Sequence, residues 1–252
     1  MTPPGGVDSA PKIRIYVEAP LAPGTTQPIA AAQAHYLIRV MRLKLGDGVR
    51  VFNGRDGEWL ARIDQVGRRG ALLAIVTLLR GQIAEARPWL LFAPVKRLKL
   101  DLMVEKATEL GVGVLQPVLT RRTVAQRLNP ARLRAQTIEA AEQCGRLTLP
   151  EIRPAREFDG LLSDWPVDRT LFWGDESGDG RPAAAAFATA HRPGAAFLIG
   201  PEGGFEAGER DRLRRFAGAV AIDIGPRILR AETAALAALG LWQAVAGDWR
   251  RQ

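Results

Sequence analysis

Two short stretches near the end of the chain carry the residue types from which a ligand site is built. Phe197-Leu198-Ile199 runs into Gly200-Pro201-Glu202-Gly203-Gly204, and Ala221-Ile222-Asp223-Ile224 runs into Gly225-Pro226-Arg227-Ile228-Leu229-Arg230. Each is an apolar, strand-like run ending in glycine, and glycine lets a backbone approach a ligand closely because no Cβ intervenes. In an open parallel sheet such loops gather at the carboxyl ends of the strands, where ligands bind. Neither loop has the Gly-x-Gly-x-x-Gly spacing of a dinucleotide site or the Gly-Lys-Ser/Thr of a phosphate cradle. The second offers Ile224, Ile228 and Leu229 as an apolar wall beside backbone polar groups at Gly225, the combination that a flat purine ring requires. Either loop alone is equally well a tight connection; the pair points more strongly to a site.

Charged and titratable groups near these loops define the chemistry on offer. Arg230 directly follows the apolar wall and stays charged at any ordinary pH, so it is the candidate for stabilising negative charge on an acceptor; a salt bridge to Glu202 or Glu232 is the competing reading. Glu232 stands near the start of the last helical pattern, where the dipole favours a carboxylate, and this suits capping better than catalysis. Thr233 is suited equally to capping that helix or to touching a ligand. The two histidines, His35 and His191, lie away from both loops in sequence and are weak candidates for a general base. The single cysteine, Cys144, has no partner for an internal disulfide, and no ligand set stands at zinc spacing, so no metal is expected.

The elements that must hold these loops change character along the chain. Residues 13–80 read as short strands around one helix: Ile13–Val17, Val49–Phe52, Trp59–Ile63 and Ala71–Leu79 are strand-like, and Ala30–Leu43 has Leu37, Val40 and Met41 at helical spacing. Asn53-Gly54 and Asp56-Gly57 suit a hairpin connection, and so many short strands predict a small β-barrel or sandwich. After a linker at 81–88 the rhythm becomes strand then helix, the signature of a mostly parallel sheet covered by helices. Its strands are predicted at Trp89–Ala93, Val112–Val118, Thr170–Trp173, Ala195–Ile199 and Ala219–Ile224. Its helices are predicted at Asp101–Leu110, from Asn129-Pro130 to about Cys144, and at Thr233–Ala246. Trp165 and Trp173 suit base stacking but more readily core packing.

The net charge is +8, and residues 1–85 carry 11 basic and 7 acidic groups against 24 and 20 in the rest, so the shorter part is about twice as basic per residue. Such a balance favours a polyanionic partner through counterion release. Only five of the 35 basic residues are lysine, however, and an arginine bias of this kind also follows from genome composition. No basic-then-apolar leader opens the sequence and no apolar run approaches the roughly 18 residues of a membrane span, so a cytoplasmic protein is expected.

The order Leu198-Ile199-Gly200-Pro201-Glu202-Gly203-Gly204 then Ile224-Gly225-Pro226-Arg227-Ile228-Leu229-Arg230-Ala231-Glu232-Thr233-Ala234 resembles the cofactor motifs of the SPOUT, or α/β-knot, methyltransferases. More narrowly, it is similar to the family that methylates N3 of a uridine in bacterial 16S ribosomal RNA of the small subunit. The stretches His35–Leu43, Lys106–Val112 and Glu139–Arg146 match the same family, so the resemblance spans nearly the whole chain. It implies an α/β fold with a small N-terminal PUA-like β-barrel over residues 1–83 and a C-terminal trefoil-knotted parallel-sheet domain over 84–252, the knot being a rarity among proteins. It implies S-adenosylmethionine held by Leu198, Ile199, Gly200, Glu202, Gly203, Ile224, Gly225, Ile228, Leu229 and Thr233, with Arg230 as the catalytic residue. Arg14, Arg39, Arg42, Lys96, Arg122 and Arg146 fall where the family pattern is basic and are expected at the RNA. Members are typically homodimers, with RNA approached by the barrel of one subunit and the cofactor domain of the other. The chain departs from the pattern at Val95-Lys96-Arg97-Leu98, where the usual form is closer to Pro-Lys-Gly-Asp. A non-catalytic ribosome-assembly factor, or an enzyme of this class with another RNA or protein target, remains the alternative, because fold does not fix substrate.

Overall fold

The computed structural model describes residues 11–68, 70–124, 128–190 and 193–250. They form two compact units, one made of the chain up to Ala84 together with Glu142–Thr148, the other of Glu85–Ala141 and the chain from Leu149 onward.

The first unit holds β1 (Arg14–Tyr16), β2 (Thr26–Ala30), α1 (Ala31–His35), β3 (Gly48–Phe52), β4 (Glu58–Gly67) and β5 (Gly70–Arg80). Its strands form one sheet in the order β1-β3-β4-β5-β2, antiparallel except where β1 meets β3. Alternation in β3, β4 and β5 sends Val49, Val51, Ala61, Ile63, Ala71, Leu73 and Ile75 into one core with Ile15, Ile29, Ala34 and Leu37. Register shifts between Glu58 and Trp59, Leu60 and Ala61, and Ile63 and Gln65 bend the long β4–β5 ribbon, as bulges do. The sequence pattern gave no sign of β2, because Pro28 argues against a strand; β2 is an edge strand, where the missing N–H costs no ladder bond. The helix expected over Ala30–Leu43 stays α-helical only to His35, and Tyr36–Val40 widens into a π turn in which the Met41 N–H donates to the Tyr36 carbonyl at 2.9 Å.

Two arginines expected at RNA lie inside this unit instead. Arg14 is only 9% exposed: its Nε donates to Glu58 at 2.5 Å, its terminal nitrogens donate to the Glu142 and Arg146 carbonyls at 3.0 Å each, and the guanidinium lies 4.3 Å from the centre of the Phe52 ring. Arg146 is equally buried, with Nε donating to Thr148 Oγ1 at 3.1 Å. Their donors serve the packing between the sheet and residues 142–148, and burial withholds them from a phosphate.

The second unit follows in chain order as β6 (Trp89–Phe92), α2 (Arg97–Glu109), β7 (Val114–Leu119), α3 (Pro130–Cys144), β8 (Glu151–Ile152), β9 (Arg156–Glu157), α4 (Phe158–Ser163), β10 (Arg169–Gly174), β11 (Arg181–Pro182), α5 (Ala183–Ala188), β12 (Gly194–Ile199), α6 (Ala207–Arg215), β13 (Ala219–Asp223) and α7 (Ala231–Val245). The last residues of α3 belong to the first unit. The strands pair in parallel in the order β11-β13-β10-β12-β6-β7-β8, with β9 beside β7. Alternation divides each central strand between two cores. Phe92, Phe172, Phe197 and Ile199 meet α2, α5 and α7 on one face, while Leu91, Leu171, Trp173 and Leu198 meet α4 and α6 on the other. Trp165 packs in that second core, so both tryptophans are core residues.

Asn129 accepts the Arg132 N–H at 3.2 Å with Pro130 as the first helical residue, the predicted start of α3. Helix α2 begins four residues before the predicted Asp101. Helices α4, α5 and α6 were not anticipated; two are only six residues long, and α6 is polar along most of its length. Among the described residues no helix is long and apolar enough to cross a membrane.

Candidate active site

Strands β13, β10 and β12 are neighbours in the sheet, so the loops that follow them emerge side by side. Between them lies a cavity of about 510 Å³, within the range of small-molecule sites. It is lined by three segments: Gly174–Gly178 after β10, Ile199–Glu202 with Gly204 after β12, and Ile222–Arg230 after β13, closed by Ala231 and Ala234 of α7.

Of the residues predicted for this site, the cavity brings together Ile199, Gly200, Glu202, Ile224, Gly225, Ile228, Leu229 and Arg230. Leu198, Gly203 and Thr233 do not line it. Leu198 is fully buried in the opposite core because alternation turns it away from Ile199, Gly203 is overlaid by the Arg122 side chain, and Thr233 faces solvent on α7. Arg230 is the exposed N-cap of α7 and, among the described residues, makes no ion pair. Glu232 is buried in the first turn of α7 and makes no cap; its Oε2 has no hydrogen-bond partner among the described residues.

The partner of Glu202 is Lys99, whose Nζ donates to its Oε1. That bond, reinforced by the charges of Lys99, Lys96 and Arg230, holds the Glu202 carboxyl below its ordinary range. Lys96 is the exposed N-cap of α2, one turn from Lys99. Arg122 donates to the Gly203 carbonyl at 2.7 Å, and its neighbour Arg121 is fixed by donating its N–H to Glu209 at 2.9 Å. The same Glu209 accepts the Glu206 N–H at 2.8 Å at the start of α6, so one buried carboxylate locks two segments behind the loop. Lys96, Lys99, Arg122 and Arg230 thus form a cationic rim around the second-unit loops.

The segment after β10 was missed by sequence reasoning. Its root is rigid: the buried Asp175 accepts the Ser177 N–H at 3.1 Å and hydroxyl at 2.7 Å, and accepts Arg214 of α6 at 3.1 Å. Glu176 then leans against Gly204, where φ is +70° and a methyl group would land on the Glu176 carboxylate. Glycine suits the position first for its torsion, and it also leaves room for the Glu176 carboxylate where that side chain now lies. The signal was the run Trp173-Gly174-Asp175-Glu176-Ser177-Gly178, an apolar strand ending in glycine like the two loops that were found. Lys99 had a weaker signal, its three-residue spacing from Lys96 on a helix.

The cavity fits an adenosine-bearing cation. Ile224 and Leu229 supply apolar contact for a ring, and the Gly225 N–H, which donates to Asp223 Oδ1 at 2.8 Å, fixes the backbone beside them. Glu176, Glu202 and Asp223 place carboxylates on the lining, which suits a ligand carrying positive charge and hydroxyl donors. Of the histidines, His35 is exposed in the first unit and His191 lies outside the described residues; none of the lining residues is a histidine.

Comparison with known proteins agrees with this architecture. Residues 85–243 match the family model of the RNA methyltransferase domain, and residues 29–76 match that of the RNA methyltransferase PUA domain. Ribosomal RNA small subunit methyltransferase E of Rickettsia conorii is 33% identical over 227 residues, covering 90% of this chain and 93% of the relative, and that of Bacillus subtilis is 30% identical, covering 85% and 88%. Among solved structures, ribosomal RNA small subunit methyltransferase E of Neisseria gonorrhoeae, bound to S-adenosyl methionine, superposes with a TM-score of 0.83 at 27% identity, covering 94% of this chain and 99% of that one. The Legionella pneumophila methyltransferase Lpg2936, in complex with its bound cofactor, gives 0.82 at 28% identity over 94% and 98%. A parallel α/β domain with three loops converging on one cavity, preceded by a PUA-like unit and matched along almost its full length, places the chain in the ribosomal RNA small subunit methyltransferase E family.

Proposed function

We propose that the protein uses S-adenosylmethionine to methylate N3 of a uridine in 16S ribosomal RNA of the small subunit. The observation that carries this reading is the cavity at the ends of β10, β12 and β13, with its apolar wall, its acidic lining and an exposed arginine at the mouth. Bound there, the cofactor supplies an electrophilic methyl group on a sulfonium. Ile224, Ile228 and Leu229 would hold the adenine, the backbone at Gly200 and Gly225 would meet its polar edges, and the rigid loops would hold the bound group toward the acceptor base. Positioning of this kind supplies on the order of 7–11 kcal/mol.

Arg230 orients the uracil and stabilises the negative charge that develops as the N3 proton passes to solvent water, a role that a permanently charged, exposed arginine can fill. Glu202 is a poor proton acceptor, because Lys99 keeps it ionised below the ordinary carboxylate range. Its part is to order the cationic rim. Lys96 and Arg122 on that rim, and Arg39 and Arg42 on the first unit, contact the RNA; all four are exposed. The working form is a cytoplasmic homodimer.

The test is transfer from labelled cofactor to small-subunit RNA taken from a strain lacking this gene, with the product mapped by mass spectrometry. A single methyl on one uridine base is expected. Label on a ribose or on another base, or no transfer to RNA from either free rRNA or assembled subunits, would overturn the assignment.

A further inference from the structure

Residues 31–46 contain no acidic side chain, and His35, Arg39, Arg42 and Lys44 are all exposed. Arg62 joins them by donating to the Gly46 carbonyl at 2.8 Å, while the nearby Asp47 carboxylate is occupied by the Lys44 N–H at 2.8 Å. Within this basic stretch the backbone departs from the ordinary twice. The π turn over Tyr36–Val40 adds a residue to the turn, so that Met41, which in an α-helix would follow the fully buried Leu37 inward, is 39% exposed. Arg42 then takes φ +58°, a left-handed conformation that a non-glycine residue rarely adopts. Departures of this kind persist where the surrounding fold holds them, and they cluster at functional surfaces. Tyr36, 38% exposed, opens the π turn immediately before the buried Leu37, with Arg39 in the same turn and Arg42 just beyond it.

We propose that Tyr36 is a stacking platform for an unpaired RNA base, with Arg39 and Arg42 holding the adjoining phosphates; this rests on the reading of the protein as a ribosomal RNA methyltransferase. Proteins that select RNA sequence or loops stack splayed bases on aromatic rings, and neighbouring cations track the backbone. A protein partner is a weaker fit: Val40, Met41 and Leu45 are exposed in the same stretch, but they stand among Arg39, Arg42 and Lys44 with no acidic side chain between residues 31 and 46. The segment also falls within the residues matched by the RNA methyltransferase PUA domain.

The experiment measures binding of the full-length protein to small-subunit rRNA from a strain lacking the gene, free and in assembled subunits, over a range of salt concentrations. Tyr36→Ala should weaken binding roughly 5- to 100-fold with an unchanged salt slope, since stacking neutralises no phosphate. Tyr36→Phe should bind like the wild type and Tyr36→Leu like Tyr36→Ala. Arg39→Ala should lower the slope by about one. Arg42→Gly, which suits the torsion better, should hold or raise the melting temperature while weakening RNA binding. Cofactor binding should be the same in all of these variants. Equal binding by Tyr36→Leu and Tyr36→Phe, wild-type binding by Tyr36→Ala or Arg42→Gly, or a loss confined to assembled subunits would overturn the proposal. If the wild type itself bound neither RNA, the methyltransferase reading beneath it would fall first.

Discussion

Replacing Gly204 by alanine separates two reasons for glycine at one position. The torsion, φ +70°, costs a non-glycine residue about 1–2 kcal/mol. The added methyl also meets the Glu176 carboxylate, with Glu176 Cδ 2.9 Å away. That group is the end of a flexible side chain, 40% exposed and paired only loosely with Arg210 at 3.5 Å, so it can swing aside cheaply. The torsional part should therefore dominate stability, and the steric part should appear as a displaced cavity wall. Gly204→Ala is expected to lose about 1–2 kcal/mol, which for a chain of this size lowers Tm by roughly 2–8 °C. The double variant Gly204→Ala with Glu176→Ala should stay as unstable as the single. Thermal unfolding without ligand measures both, and the upward shift given by S-adenosylmethionine, which follows RT ln(1 + [L]/Kd), should be smaller in Gly204→Ala than in the wild type. An unchanged Tm in the single variant would refute the torsional argument; full recovery in the double variant would show that the cost was steric.

Arg230→Ala should depress turnover while leaving cofactor affinity nearly intact, and comparable loss of both would remove its role as an orienter of the acceptor. Lys99→Met removes the main cause of the low Glu202 pKa, so the carboxyl should move back up toward its ordinary 4.5; NMR titration of Glu202 in wild type and variant checks the direction. For Glu58, burial pushes the pKa up but the bonds from Arg14 and Arg80 outweigh it, leaving the group below its ordinary 4.5. A folded-state pKa below the unfolded one means that the stabilisation is present above pH 4.5 and is lost as pH falls through the folded value. Glu58→Gln should cost about 3–5 kcal/mol at neutral pH by breaking the buried Arg14–Glu58 ion pair, and the gap to wild type should narrow on acidification below that point. A gap independent of pH in denaturant melts would contradict the ion-pair account.

Much of the second unit was legible because its physics is local. Apolar runs such as Leu90–Phe92 and Ala195–Ile199 are buried on both faces and read as strands without long-range knowledge, and Asn129-Pro130 announces a helix by its own chemistry. The two glycine loops were legible for the same reason. What failed depended on partners distant in sequence. Arg14 reads as a surface cation until Glu58, forty-four residues on, and the carbonyls of Glu142 and Arg146 are brought to it. Leu198 and Ile199 cannot be assigned to a face from composition, since only the sheet's orientation decides which of two neighbours meets the ligand. The Gly174–Gly178 loop belongs to the site solely because β10 pairs between β12 and β13, a strand order that the chain order hides. The π turn was invisible because Leu37, Val40 and Met41 satisfy the α-helical period while the backbone does not.

The membership of Glu142–Thr148 in the first unit means that the N-terminal module is not a contiguous stretch of gene. A fragment ending at Ala84 would take Arg14 and Arg80 away from three carbonyl acceptors, those of Glu142, Arg146 and Gly145, and would strip the Tyr16 N–H of the Glu142 carboxylate. The fragment would lose these hydrogen bonds and the cover over Arg14 and Phe52 together, so it should be isolated as an aggregating or partly unfolded species. Recombination that exchanged this module between proteins at the obvious junction would fail for the same reason, and the two halves of the chain are therefore bound to be inherited together.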